Sequence, residues 1–233
     1  MVDKSKINFD RKDYKNFFKH LINSKFNKDI KNWKDFENGR VNRTFLFKNE
    51  YQWEKVIPKQ YHRKIELLLK RVNSYKTPFQ SEKLDFLRRV QVIESCFVKE
   101  SDLNIKGSHI FNHHCDRINS YKIYVFFSDI ELKDGPIFFA EINKCKNQVI
   151  DKLNEIENKK KDPNSDLREM KATIFCKEEK AMLGKFGDVL IFDGREPHRA
   201  SLLKKNGYRA VVIFEFFTEE NWRLYSEPIL KNN

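Results

Sequence analysis

Cysteine is scarce in this chain of 233 residues, with four in all (Cys96, Cys115, Cys145, Cys176) and no CxxC pair among them. That spacing offers no structural zinc site and reads as reduced thiols, so the expected setting is the cytoplasm. Glycine is scarce as well: seven against 21 phenylalanines, a ratio that argues against a disordered chain. No apolar run approaches the length of a membrane span. No apolar stretch follows Met1-Val2-Asp3-Lys4-Ser5-Lys6, so a signal peptide is not expected. No internal repeat is evident. The length suits one domain with a real core, spanning residues 1–233.

Acidic residues are short in one place. Residues 1–80 hold 20 Lys+Arg against 9 Asp+Glu, whereas residues 81–233 hold 26 against 25. Nearly all of the formal charge of +12 therefore sits in the first third. One reading is a solvated helical surface whose lysines cover apolar flanks. The other is an attraction for anions, whether an anionic small molecule, an acidic partner or nucleic acid. None of the basic stretches is dense enough to read as a dedicated nucleic-acid patch, so a nucleic-acid partner is not favoured.

Residues 1–85 are expected to form a basic, mainly helical layer. Tyr14, Phe17, Phe18, Leu21 and Ile22 make one apolar stripe at helical spacing. Pro58 suits a first turn, and Tyr61, Ile65, Leu68, Leu69 and Val72 make a second stripe. Trp33, Phe36, Phe45, Phe47 and Trp53, between them, are read as loop and strand residues that anchor the layer.

From residue 90 the period changes. Strands are expected at 90–98, 108–114, 121–127, from 137, at 173–176, 189–192 and 209–217, with a polar turn at Lys133-Asp134-Gly135-Pro136. Val149, Ile150, Leu153 and Ile156 predict a short helix over 146–158, inside an insertion at about 143–180. Short strands behind a helical start predict a mainly β fold: a double-sheet jelly roll, cupin-like, over 90–217 with helices on one side.

One constellation carries chemistry. In His114-Cys115-Asp116 the first and third residues share a side of an extended chain, with His113 and Cys115 on the other. His198 follows the strand of 189–192. Two imidazoles and one carboxylate are the ligand set that holds a non-haem iron on one face and leaves the other open. Eleven places on, Arg209 enters the apolar run Ala210-Val211-Val212-Ile213-Phe214. A guanidinium there needs a partner if buried, and a dicarboxylate would satisfy it bidentately.

In order along the chain, His114-Cys115-Asp116, Tyr124 to Asp129, Asp134-Gly135-Pro136-Ile137, Gly187 to Phe192, His198 and Arg209 resemble the phytanoyl-CoA dioxygenase family of Fe(II)/2-oxoglutarate oxygenases. The resemblance covers roughly 107–217. It implies a double-stranded β-helix with iron on His114, Asp116 and His198. It also implies 2-oxoglutarate on Arg209 with Tyr124 beside it. The chain departs from the family at Ala140-Glu141-Ile142-Asn143, where many members have a Pro-Gly-Ser-His turn. It departs again at Ala200, where a small hydroxyl residue is usual. Ser201 and Asn112 are further candidates for the substrate side. The presence of Asp116 argues against halogenation.

The implied activity is a dioxygenase that consumes 2-oxoglutarate and dioxygen. It would hydroxylate an unactivated C–H bond of a small molecule and release succinate and carbon dioxide. The charge asymmetry suggests that the small molecule is anionic. A prolyl-hydroxylase-like or nucleic-acid-modifying oxygenase shares the same ligand pattern. A non-catalytic cupin-like metal-binding module is the alternative outside enzymes. Substrate identity and oligomeric state are not written in these residues.

Overall fold

The structure is a computed structural model that describes residues 3–6, 11–26, 30–37, 39–49, 51–74, 86–99, 111–162 and 173–231. In chain order the elements are β1 (Asp3–Lys6), α1 (Arg11–Asn23), β2 (Lys31–Glu37), β3 (Arg40–Leu46), α2 (His62–Ser74), β4 (Phe86–Cys96), β5 (Tyr121–Phe126) and β6 (Phe138–Ala140). Then follow α3 (Ile142–Lys160), β7 (Glu179–Ala181), β8 (Asp188–Asp193), β9 (His198–Arg199), β10 (Tyr208–Phe217) and α4 (Glu219–Lys231). A seven-stranded antiparallel sheet runs β1-β8-β5-β10-β4-β3-β2, and a three-stranded sheet runs β7-β6-β9. This is the double-stranded β-helix with flanking helices that the sequence predicts.

Strand alternation splits the large sheet into two faces. Val90, Val92, Ile123, Val125, Val189, Ile191, Val212 and Phe214 face the helices. There they meet Tyr14, Phe17, Phe18, Leu21 and Ile22 of α1, and Ile65 and Leu68 of α2. The stripes read from the sequence are thus the buried faces of these helices; the side chains of Leu69 and Val72 lie outside the described residues. The opposite face carries Ile93, Leu190, Phe192, Val211 and Ile213, which pack against Ile137 and Phe139 of the small-sheet layer. The apolar floor between the two sheets is therefore built by Ile93 of β4, Leu190 and Phe192 of β8, and Val211 and Ile213 of β10.

Several expectations need correction. The first third holds its two helices but also three strands. β1 pairs with β8 at one edge of the large sheet, and β2 and β3 extend the other edge beyond β4. Phe36 does not anchor a layer: it lies on the edge strand β2 and is 75% exposed. Phe45 and Phe47 are buried. The strand expected at 173–176 is reduced to one bridge at Thr173. The helix expected at 146–158 is longer, at 142–160, with a non-helical residue at Cys145. Part of the insertion and residues 108–110 lie outside the described residues. Helix α4 was not expected at all. Its start is capped by Thr218, whose hydroxyl accepts from the Asn221 backbone N–H at 3.2 Å and from its side chain at 2.9 Å. Among the described residues, no helix is long and apolar enough to cross a membrane.

Candidate metal centre

His114 and His198 are locked together by their own backbones. Each N–H donates to the other's carbonyl at 3.0 Å, a closed antiparallel pair. Both side chains consequently leave on one side, with ring centroids 4.6 Å apart. Asp116 lies two residues on, tied by its N–H to Gly194 O at 2.8 Å. One ligand atom from each of His114, Asp116 and His198 lies within 4.8 Å of the others, close enough for a single ion. His113 and Cys115 point elsewhere. His113 pairs with Glu179 at 3.0 Å, and the Cys115 thiol donates to Arg195 O at 3.0 Å.

The protonation of the two imidazoles is fixed locally. His114 Nδ1 lies 2.9 Å from the carbonyl of Asn112, and His198 Nδ1 lies 2.8 Å from that of Glu196. In a neutral ring each Nδ1 then carries the proton, which makes Nε2 the nitrogen that can bind a metal. Burial holds His198 neutral, lowering its pKa to about 3. Burial alone would raise the Asp116 carboxyl, but its neighbours, the Lys122 ammonium first and then the His198 and His114 rings, outweigh it and hold the group below its ordinary range. The set is two imidazole nitrogens and one carboxylate, the donors that suit a divalent first-row metal. The residues fit such an ion.

Lys122 is a site residue that the sequence reading missed. Its Nζ lies 2.7 Å from Asp116 Oδ2 and 3.7 Å from Glu215 Oε1. Glu215 also accepts from Ser120 Oγ at 2.8 Å and pairs with Arg89 at 2.6 Å. Burial would lower the lysine pKa, but Asp116 and Glu215 outweigh it and keep the ammonium charged. Lys122 holds one carboxylate oxygen, while the other, Oδ1, lies 3.8 Å from His198 Nε2. The signal was readable: one lysine and one glutamate interrupt two otherwise apolar central strands, in register with each other.

Phe192 fills the floor beside the candidate metal ligands, with ring centroids 5.2 Å from His198, 4.9 Å from Phe139 and 5.3 Å from Tyr124. Tyr124 stands on β5 opposite Ile213 and Leu190, on the floor side of the sheet. Burial raises its pKa and keeps the phenol protonated, against the opposing charges of Lys122, Arg209 and Arg40. Arg209 opens β10 on the same side. One guanidinium nitrogen donates to Gly135 O, while its buried Nε has no hydrogen-bond partner. Gly135 sits in the left-handed region at φ 67° after the turn residue Asp134. Asp134 anchors the start of β10 by accepting from Tyr208 N at 3.0 Å. The Ser201 hydroxyl is spent on Pro136 O at 2.6 Å. Asn112 contributes its carbonyl to His114.

No family model matches the chain, and no curated protein matches it. Solved structures do match by fold. One is the non-haem α-ketoglutarate-dependent epimerase SnoN from nogalamycin biosynthesis, at 12% identity and a TM-score of 0.54, over 93% of this chain and 78% of that one. Another is the non-haem α-ketoglutarate-dependent carbocyclase SnoK of the same biosynthesis, at 11% identity and a TM-score of 0.51, over 92% and 78%. The chain thus shares the cupin-like fold of these two enzymes.

Proposed function

We propose that the protein is an Fe(II)- and 2-oxoglutarate-dependent oxidoreductase that oxidises an unactivated C–H bond of a small molecule, with hydroxylation as its outcome. The observation that carries this reading is the metal geometry. Three donors converge within 4.8 Å, and both imidazoles have Nδ1 against a backbone carbonyl. SnoN and SnoK, which share the fold, depend on α-ketoglutarate by name. The order of motifs along the chain supports the phytanoyl-CoA dioxygenase-like branch.

Each residue then has a task. His114, Asp116 and His198 hold the metal from one side and leave the other for ligands. Arg209 grips the distal carboxylate of 2-oxoglutarate, with its unpartnered Nε available for that bond. Tyr124 stands beside that ligand as a neutral phenol. Phe192 and Phe139 keep water from the back of the ligand set. Lys122 orients Asp116. Bound iron would supply the activation of dioxygen, coupled to conversion of 2-oxoglutarate to succinate and carbon dioxide.

The test is anaerobic loading with Fe(II), then exposure to air with 2-oxoglutarate and measurement of succinate. The native protein is expected to form succinate, slowly without substrate, and His114→Ala is expected to form none. Equal behaviour of the two proteins sinks the assignment. SnoN and SnoK are an epimerase and a carbocyclase. Once a substrate is found, the product mass therefore matters: a gain of one oxygen atom supports hydroxylation, and an unchanged mass or a loss of two hydrogens replaces it.

A further inference from the structure

Two thiols meet where α3 begins. Cys145 is buried in the first turn of α3, and Cys176 is partly exposed on the segment that precedes β7. Both thiols donate to one carbonyl, Glu141 O, at 3.6 Å each. The Cys176 side chain is also hydrogen-bonded to the Cys145 thiol itself. The surrounding chain holds them there. The Glu141 N–H donates to Glu178 O at 2.9 Å, and Lys144 Nζ lies 3.3 Å from Glu178 Oε1. The Phe175 N–H donates to Gln148 Oε1 at 3.1 Å. The start of α3 is thus stitched to residues 175–178 on both sides of the thiol pair. Cys145 is also the residue at which α3 departs from helical geometry, at φ −136° and ψ 25°. The other two cysteines are placed differently. Cys115 shares the apolar cluster under α3, but its thiol is spent on Arg195 O, and Cys96 stands at the end of β4.

We infer that Cys145 and Cys176 are a redox-active dithiol, a modification site at which a peroxide closes a disulfide between α3 and the segment before β7. Cys176 is the more exposed thiol and meets the oxidant first, whereas burial pushes the Cys145 thiol up to about 12. The Cys176 sulfur takes one oxygen atom from hydrogen peroxide, which leaves a sulfenic acid and releases water. The Cys145 sulfur then attacks the Cys176 sulfur, the S–O bond breaks, and the hydroxyl leaves as water with the Cys145 proton. Two thiols thereby lose two electrons and two protons, and one peroxide becomes two waters. The bond lies close behind the candidate metal centre. The Ile174 N–H donates to His113 O at 2.7 Å, and Thr173 is bridged to His114. Oxidation therefore ties α3 covalently to the segment that lies against His114. A cross-link over the span from Cys145 to Cys176 stabilises chiefly by restricting the unfolded chain.

The experiment treats the full chain with a small excess of hydrogen peroxide, with a chelator present so that no iron consumes it. Remaining thiols are then labelled with N-ethylmaleimide under denaturing conditions, and the peptides are mapped by mass spectrometry. Two of the four cysteines are expected to escape the label, in one linked peptide pair that contains Cys145 and Cys176. Dithiothreitol is expected to restore both. Oxidation is expected to raise Tm by roughly 5–15 °C, the scale for closing a loop of this length in a chain of this size. Cys176→Ser is expected to give neither the linked peptides nor the rise. Cys145→Ser is expected to stop at the Cys176 sulfenic acid, which dimedone traps. Four labelled cysteines after peroxide overturn the site, as does a bond to Cys96 or Cys115 or a bond only between two copies. Sulfinic acid at Cys176 beside a free Cys145 overturns it too, and so does a Tm rise that persists in Cys176→Ser. If Cys145→Ser fails to fold, the native protein and Cys176→Ser decide the matter by themselves.

Discussion

Gly194 lies flat against the carboxylate of Asp116. A Cβ on Gly194 would stand 2.9 Å from Asp116 Cγ and closer still to Oδ2. Gly194 also accepts the Asp116 N–H at 2.8 Å and donates to Ser120 O at 2.8 Å. The absence of a side chain therefore lets the backbone seat the carboxylate from behind. Gly194→Ala is expected to keep the fold and lose the metal. We expect Mn(II) affinity to fall by about tenfold or more, the scale seen when the support of a metal ligand is removed, with an unchanged far-ultraviolet circular dichroism spectrum. Undiminished affinity would show that Asp116 can shift without consequence.

Lys122 is the cation between two buried carboxylates, 2.7 Å from Asp116 and 3.7 Å from Glu215. Removing one partner of a buried charge set costs about 3–5 kcal/mol because the other charges stay buried. Lys122→Met should lower the apo stability on that scale in urea titrations. A divalent ion on Asp116 replaces part of the lost charge. The rise in Tm on adding Mn(II) is therefore expected to be larger in Lys122→Met than in the native protein. An equal rise would mean that Lys122 and the metal act on Asp116 independently.

Phe192 is fully buried and touches both the candidate ligand His198 and the floor residues Phe139 and Tyr124. Truncating such a ring costs about 3–5 kcal/mol through lost contacts and the cavity left behind. Phe192→Ala should show this loss in chemical unfolding. It should also weaken metal binding, since His198 loses the wall that holds its ring. Phe192→Leu fills most of the volume and should recover much of the stability. If alanine costs under about 1 kcal/mol, the wall has collapsed around the gap.

The candidate ligand set was legible because its chemistry is local. His114 and Asp116 are two apart, and Arg209 begins an apolar strand that no surface arginine would need. The helix stripes of Tyr14 to Ile22 were legible for the same reason: one face of a helix is written in neighbouring residues. What stayed hidden depends on pairing between distant segments. The edge strands β2 and β3 gain their place only when β3 is set beside β4. The dipeptide Asn38-Gly39 between two short segments is a hairpin signal that could have revealed β2 and β3. Their charged residues, Lys31, Lys34, Asp35, Arg40 and Arg43 among them, suit a sheet edge and masked the strand pattern. Gly194 could not be read at all, since its role is the space it leaves for a residue 78 positions away.

Asp129 ties the loop after β5 to the turn before β8. Its Oδ1 accepts from the Phe186 N–H at 2.8 Å, and Lys185 Nζ lies 3.5 Å from Oδ2. The backbone hydrogen bond is the main reason that its pKa lies below the ordinary 3.8, with burial opposing and Lys185 adding to it. A carboxyl with a lowered folded-state pKa binds its proton more weakly in the fold than in the unfolded chain. Its contribution to stability is present above pH 3.8 and is lost as the pH falls through the folded value. Asp129→Ala should therefore be less stable than the native protein at neutral pH, and the gap should close on acidification below 3.8. Asp129→Asn keeps an acceptor for Phe186 without the charge and should fall between the two at neutral pH. Urea midpoints of the three proteins across the acid range measure this directly, and a gap that stays constant with pH would show that the Asp129 charge does not support the turn.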